Sequence, residues 1–491
     1  MSKSKKIPKL MLFVLAALVA ASSSRAQDPQ QPQEPQAPQT PEGPGKPKPA
    51  ARGIPGLNDS NSSEENAQDA SNKWRPDNSP VTGFQNPTIG SPELGHSYWV
   101  PGLEYGSTIQ SRPLGQQATS GWYANNYVGG DLSLVEAWNR SQLGLNYSGG
   151  GFFTSNSEES NGGYQQLSLA DSITLNRWLI QFFDMFSYIP ESDFGFFGGS
   201  GLALPGIGGS LTPSIPGLSA SVLPNQSIYS AIGPRYGNAF AAQATYLLSR
   251  RGSITVGGSY GLLRFTQAGN IDDDMTIGSV GYNYALNKTD SIGAFYQFAG
   301  YHFSGEPQAI GTHSINFVYG KRVTQRIALK LYGGPQFSSY RVPIGTQTKS
   351  TNASAGATLS YAVQRGSINL SYFHGLTGGG GVLLGATTDQ ATVNLSHQFA
   401  VAWTGFVNFG FSRNGSLGTA GGLPSPTFDD WFAGGGISRP FGRNVNFTVN
   451  YSARIEHSNL ATCAGPGCST DYTQNMVTIS LQWHTLPFVL R

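Results

Sequence analysis

The sequence predicts an all-β chain, a transmembrane antiparallel β-barrel of about 18 strands with 16 as the alternative, behind a disordered Pro-rich N-terminal arm. Three observations carry this. From about Tyr98 to the end the chain runs in short stretches in which apolar and polar residues alternate every second position, the period of a strand. The polar face of those stretches is made of Asn, Ser, Thr, Gln and Gly, with few charges. Short joins alternate along the chain with long Gly-, Pro- and Ser-rich connections.

The N-terminus comes first. Residues 1–9, MSKSKKIPK, carry four lysines; residues 10–21, LMLFVLAALVAA, are apolar; Ser24 and Ala26 then occupy the −3 and −1 positions of a small-residue cleavage site. A basic start, an apolar run and a small-residue exit read as a secretory signal peptide over 1–26. The apolar run is about a dozen residues, short of the roughly 20 that a membrane-spanning helix needs. Residues 27–52 alternate Pro and Gln, and 53–97 stay polar, rich in Asn, Ser and Asp. Such a composition cannot bury a core, so 27–97 is expected to be a disordered periplasmic linker. It serves either as a plain spacer or as a tether that touches peptidoglycan or a partner protein.

The barrel is assigned to 98–491. In NVNFTVNYSARI, Val445, Phe447, Val449, Tyr451 and Ala453 share one face while Asn446, Thr448, Asn450, Ser452 and Arg454 share the other. In MVTISLQWH, Val477, Ile479, Leu481 and Trp483 oppose Thr478, Ser480, Gln482 and His484, and in RIALKLY, Ile327, Leu329 and Leu331 oppose Ala328, Lys330 and Tyr332. A soluble sandwich would place Lys and Glu on its polar face. Charged residues are only 12% of the chain, about half the usual share. A barrel in the outer membrane of a Gram-negative cell turns the apolar face to lipid and the small polar face to its lumen. Of 30 Lys and Arg and 28 Asp and Glu, 10 and 9 fall in residues 1–99, which leaves the barrel near neutral and without the basic footprint of a nucleic-acid binder.

The joins give the strand count. Short ones are read at 139–140, 176–177, 250–251, 287–288, 321–322, 364–365, 397–398 and 439–440. Long ones are read at 153–163, 189–235, 267–272, 305–310, 339–349, 377–387, 415–428 and 456–471. Eight short turns imply sixteen strands, 472–484 adds one, and 102–110 supplies a first upward strand so that both termini lie on the periplasmic side.

Little in the chain speaks for catalysis. None of the seven histidines sits in a hydrolase motif, there is no G-x-S-x-G, and Gly378–Gly381 is followed by no Lys, so no enzymatic activity and no cofactor are expected. Cys463 and Cys468 bracket CAGPGC, and in an exported chain they are expected to pair as a disulfide; a metal reading has no nearby ligand beyond His457. Asp272–Asp274 read as a solvated loop tip, with weak Ca²⁺ binding the alternative. Lys330, Arg413 and Arg454 are read as scattered lumen charges. Three acids break the pattern: Glu136 shares a face with Leu132, Leu134 and Trp138; Asp171 with Leu167, Leu169 and Ile173; Asp184 with Trp178, Ile180, Phe182 and Phe186. A β-bulge or a wet rim would excuse them; otherwise a neighbouring protomer covers these early strands.

Over 100–491 this architecture resembles bacterial outer-membrane porins and porin-like barrels. The resemblance implies passage of small hydrophilic solutes, contact with outer-membrane lipid, insertion by the barrel assembly machinery, and trimers whose early strands meet at the threefold. Alternatives are a non-conducting structural or interaction barrel, or an export barrel for polysaccharide or peptide. Porins often fold one long loop inward. The segment 189–235 stands at the matching place, and its PES-DFGFFGG stretch is faintly similar to such loops, which would put Glu191 and Asp193 at a constriction. Porin-like chains usually end on an aromatic residue; here Trp483 and Phe488 are followed by Val489, Leu490 and Arg491.

Overall fold

The structure, a computed structural model, describes residues 97–489 apart from 112–120, 156–160, 190–234, 267–269, 307, 342–346, 380–382, 401, 418–425 and 460–470. The expectations for the signal peptide, the Pro-rich arm, Glu191, Asp193, Cys463 and Cys468 lie outside the described residues.

Eighteen long strands follow one another: β1 (Tyr98–Ser111), β2 (Trp122–Ala137), β3 (Ser141–Thr154), β4 (Gly162–Leu175), β5 (Trp178–Ile189), β6 (Arg235–Leu247), β7 (Gly252–Phe265), β8 (Asp273–Ala285) and β9 (Asp290–Phe303). Then come β10 (Ala309–Arg322), β11 (Ile327–Arg341), β12 (Gln347–Val363), β13 (Gly366–Thr377), β14 (Ala386–Ala400), β15 (Trp403–Ser416), β16 (Thr427–Phe441), β17 (Val445–Ser458) and β18 (Asp471–His484). A two-residue β19 (Phe488–Val489) adds a short pairing to Tyr98 and Trp99. Each long strand pairs antiparallel with the next, and β18 returns to β1 from Gly102↔His484 to Gln110↔Met476. The sheet therefore closes on itself and leaves no long strand edge unpaired.

Alternation decides which face is which. Leu103, Tyr105 and Ile109 of β1 are exposed, whereas Glu104, Thr108 and Gln110 are buried inside. On β11, Leu331 and Phe337 face out and Ala328, Lys330 and Gln336 face in; on β18, Ile479, Leu481 and Trp483 face out and Thr478 and His484 face in. The outer surface is a belt of Leu, Ile, Val, Phe, Tyr and Trp, and the inner one is largely amide, hydroxyl and glycine. Aromatic clusters sit where strands end, as with Arg439 over Trp403 and Phe441 at the periplasmic turns.

Three periplasmic turns fall later than the basic dipeptides suggested. β10 runs through Lys321-Arg322 and β11 starts at Ile327; β14 runs through His397-Gln398 to Ala400; β16 runs through Arg439-Pro440, and Gly442 turns the chain with φ +68°. Basic residues mark the rim of the barrel, where they can occupy the last strand positions as readily as the turn itself. The two-residue join at Gln364-Arg365 does fall as read, with Arg365 at φ +66°.

Candidate functional site

The lumen wall is the candidate site. Its inward side chains come from alternate positions of all eighteen strands, so their order follows directly from the register. Two of the three cations assigned to it do face inward. Lys330 on β11 is buried, and Arg454 on β17 is buried beside two carboxylates: its Nε donates to Asp430 Oδ2 at 2.8 Å, and Glu456 Oε2 lies 3.7 Å from Nη2. Arg413 does not. It shares the outer face of β15 with Phe409 and Phe411, 58% of its side chain is exposed, and its Nε lies 3.6 Å from Asp429 Oδ1. The parity of the alternation put it there, four residues after Phe409, near the external end where a charge meets water.

A second cluster lies across the closing seam, built from residues that no local pattern links. Asp131 (β2), Gly102 (β1) and His484 (β18) stand side by side in register. With no side chain on Gly102, His484 Nε2 reaches Asp131 Oδ2 at 2.8 Å over the middle strand. One level up, Glu104 Oε1 accepts from Ser148 Oγ on β3 and from Tyr164 Oη on β4, both at 2.6 Å. The Tyr164 hydroxyl reaches Glu104 over Gly129, where a Cβ would collide with it. Thr108 and Thr478 hydroxyls, 2.9 Å apart, tie β1 to β18 further along.

The external mouth holds an inward apolar cluster on β8–β10: Met275, Ile277, Ala299, Tyr301, Phe303 and Ile310. The end of the β13–β14 hairpin bends in to meet it. Leu376 joins the cluster, Tyr301 Oη donates to the Leu376 carbonyl at 3.1 Å, and Gln308 Nε2 donates to the Leu384 carbonyl at 2.8 Å. Gly379 and Gly385, at φ +87° and +83°, make the bends. The hydrophobic residues Val382, Leu383 and Leu384 inside a Gly-rich connection were the readable signal for this.

Glu136, Asp171 and Asp184 all face outward. Glu136 and Asp171 flank Leu143 in one lateral row, close to the periplasmic turns. Asp184 is opposite Leu169 and Phe240, deeper in the apolar belt, and its Oδ1 accepts from Asn238 Nδ2 at 2.9 Å. The strands are regular through all three, so no bulge moves these acids inside.

No family model and no curated protein matches the chain. Solved structures do. The outer membrane protein OpdK from Pseudomonas aeruginosa aligns at 11% identity over 79% of this chain and 99% of its own, with a TM-score of 0.41. OpdQ from the same organism aligns at 11% over 80% and 98%, and a BenF-like porin from Pseudomonas fluorescens Pf-5 at 10% over 80% and 99%, both at 0.41. The class of this molecule rests on its own strands. A closed antiparallel barrel of eighteen strands with an apolar exterior and a polar interior is a transmembrane β-barrel of the outer-membrane kind.

Proposed function

We propose that the protein is a porin-like channel for passive diffusion of small hydrophilic solutes. The observation that carries this is the contrast between its faces. A closed wall turns apolar side chains outward, while its inward positions are dominated by Ser, Thr, Asn, Gln and Gly. Hydroxyls and amides exchange hydrogen bonds with water and with a passing solute at little net cost. The inward charges are few and partly compensate one another, as in Asp430–Arg454–Glu456, and Asp131 is hydrogen-bonded to His484. That favours weak ion selectivity. The test is swelling of liposomes that contain the purified protein. Pentoses and hexoses should enter, with rates falling as solute size grows; swelling no faster than in protein-free liposomes would exclude a diffusion channel and favour a structural barrel.

The outward acids support an accompanying reading, that a second copy of the chain covers β2–β5. A carboxylate facing hydrocarbon is disfavoured. Asp171 Oδ1 is buried with no hydrogen-bond partner among the described residues, and a neighbouring protomer would supply one.

A further inference from the structure

We infer that the lumen wall formed by β9–β13 is a binding groove for an uncharged, hydroxylated ring solute, a neutral sugar or short oligosaccharide; this rests on the channel reading above. The inner face there brings aromatic rings and amides together with no charged side chain in the cavity lining among the described residues. Four aromatic side chains, Phe295, Tyr301, Tyr332 and Phe373, line a small cavity together with the amides Gln297, Asn316 and Gln336. The rings of Phe295 and Tyr332 lie 6.0 Å apart and tilted by 59°, so they form a bent apolar surface rather than a stack. Asn316 beside them is held in place. Asn316 Nδ2 donates to Ser314 Oγ at 3.2 Å, and its Oδ1 accepts from Ser354 Oγ on β12.

The chemistry of this lining selects a class of ligand. No Asp, Glu, Lys or Arg is part of it among the described residues. Lys330 stands two residues below Tyr332 on β11 and is not in the lining, while the Asp430–Arg454 pair belongs to β16 and β17 and the Asp131–His484 pair to β2 and β18. A charged solute would thus lose water here and meet no counter-charge in the lining itself. A solute with an apolar C–H face and a rim of hydroxyls fits both halves: the face lies on the rings, and the hydroxyls both donate to and accept from side-chain amides, which offer each role. The apolar cluster of the external mouth, Met275 to Ile310, is continuous with this lining through Ile277, Ala299, Tyr301 and Leu376 and extends the apolar surface offered to the face of such a solute.

The experiment is current block in a planar bilayer. Wild-type protein is held in KCl, and maltotriose or gluconate is added on one side. Maltotriose should interrupt the current in a saturable way and gluconate should not. Phe373→Ala and Gln336→Leu should each raise the half-blocking maltotriose concentration about threefold to tenfold, the scale of one aromatic contact or one hydrogen bond. Heat-dependent gel mobility reports whether each variant has folded, and Phe373→Leu replaces the alanine variant if it has not, with the same expected rise. An open channel that maltotriose does not block, equal block by gluconate, or unchanged block in folded variants overturns the groove. A wild-type protein that passes no current removes the channel reading itself, and the inference with it.

Discussion

Replacing Gly102 by alanine should loosen the seam where the barrel closes. A Cβ built at Gly102 would stand 2.5 and 2.8 Å from the two carboxylate oxygens of Asp131 and 2.6 Å from His484 Cδ2. All three contacts are too close, and all three are with side-chain ends rather than backbone. The pairing of β18, β1 and β2 therefore survives, and the His484–Asp131 hydrogen bond does not. The two side chains are 7% and 15% exposed, so water replaces the lost partner poorly. A hydrogen bond to a charged group contributes about 1.5–3 kcal/mol. The expected result is a fall in unfolding free energy of that size, measured by urea titration in detergent micelles with tryptophan emission as the signal. The double-mutant cycle is the sharper form. In an Asp131→Ala background the same methyl group meets no carboxylate and breaks no bond, so most of the cost should vanish. An unchanged midpoint for Gly102→Ala, or an equal loss in both backgrounds, would refute the reasoning.

Three further outcomes follow from named contacts. Arg454→Met removes the cation from between Asp430 and Glu456, whose side chains are at most 1% exposed. It should cost about 3–5 kcal/mol in the same titration and shift the zero-current potential in a KCl gradient toward cation selectivity; a potential identical to wild type would show that this cluster does not face the conduction path. Asp184→Leu removes the acceptor of Asn238 from the outer face, and if a second copy covers that face, native mass in mild detergent should fall from an oligomer toward a single chain. A wild-type monomer, or an equally stable mutant oligomer, argues instead for lipid contact and a local Asp–Asn pair. Deleting residues 27–96 while keeping residues 1–26 should leave a barrel with heat-dependent gel mobility, because β1 begins at Tyr98 and Ser97 already bonds the Ala137 backbone with its hydroxyl; loss of the compact band would assign residues 27–96 a part in folding.

Most of the barrel was legible because its two solvents impose a strict rule. Lipid on one side and a polar lumen on the other leave each strand one allowed phase, so Val445–Tyr451 and Val477–Trp483 declare their outward faces residue by residue. The same rule, applied to Arg413, would have placed it beside Phe409 and Phe411 on the outside; its charge alone suggested the lumen. Turn positions were less legible. Arg and Lys report the height of the water interface, which strands such as β10 and β16 reach before they turn. What could not be read was contact between strands distant in sequence. Nothing local links Asp131 to His484, Glu104 to Tyr164, or Tyr301 to Leu376, because each pair exists only through closure, through glycines that clear the space between, or through a hairpin end that bends inward.

Single-channel conductance tests the central claim most directly. The purified, refolded protein is inserted into a planar bilayer in 1 M KCl, with and without residues 192–232 of the longest connection. A water-filled lumen gives discrete, ohmic current steps, and the shortened chain gives steps at least as large. Insertion of heat-modifiable, correctly folded protein with no current steps from either chain would contradict the account.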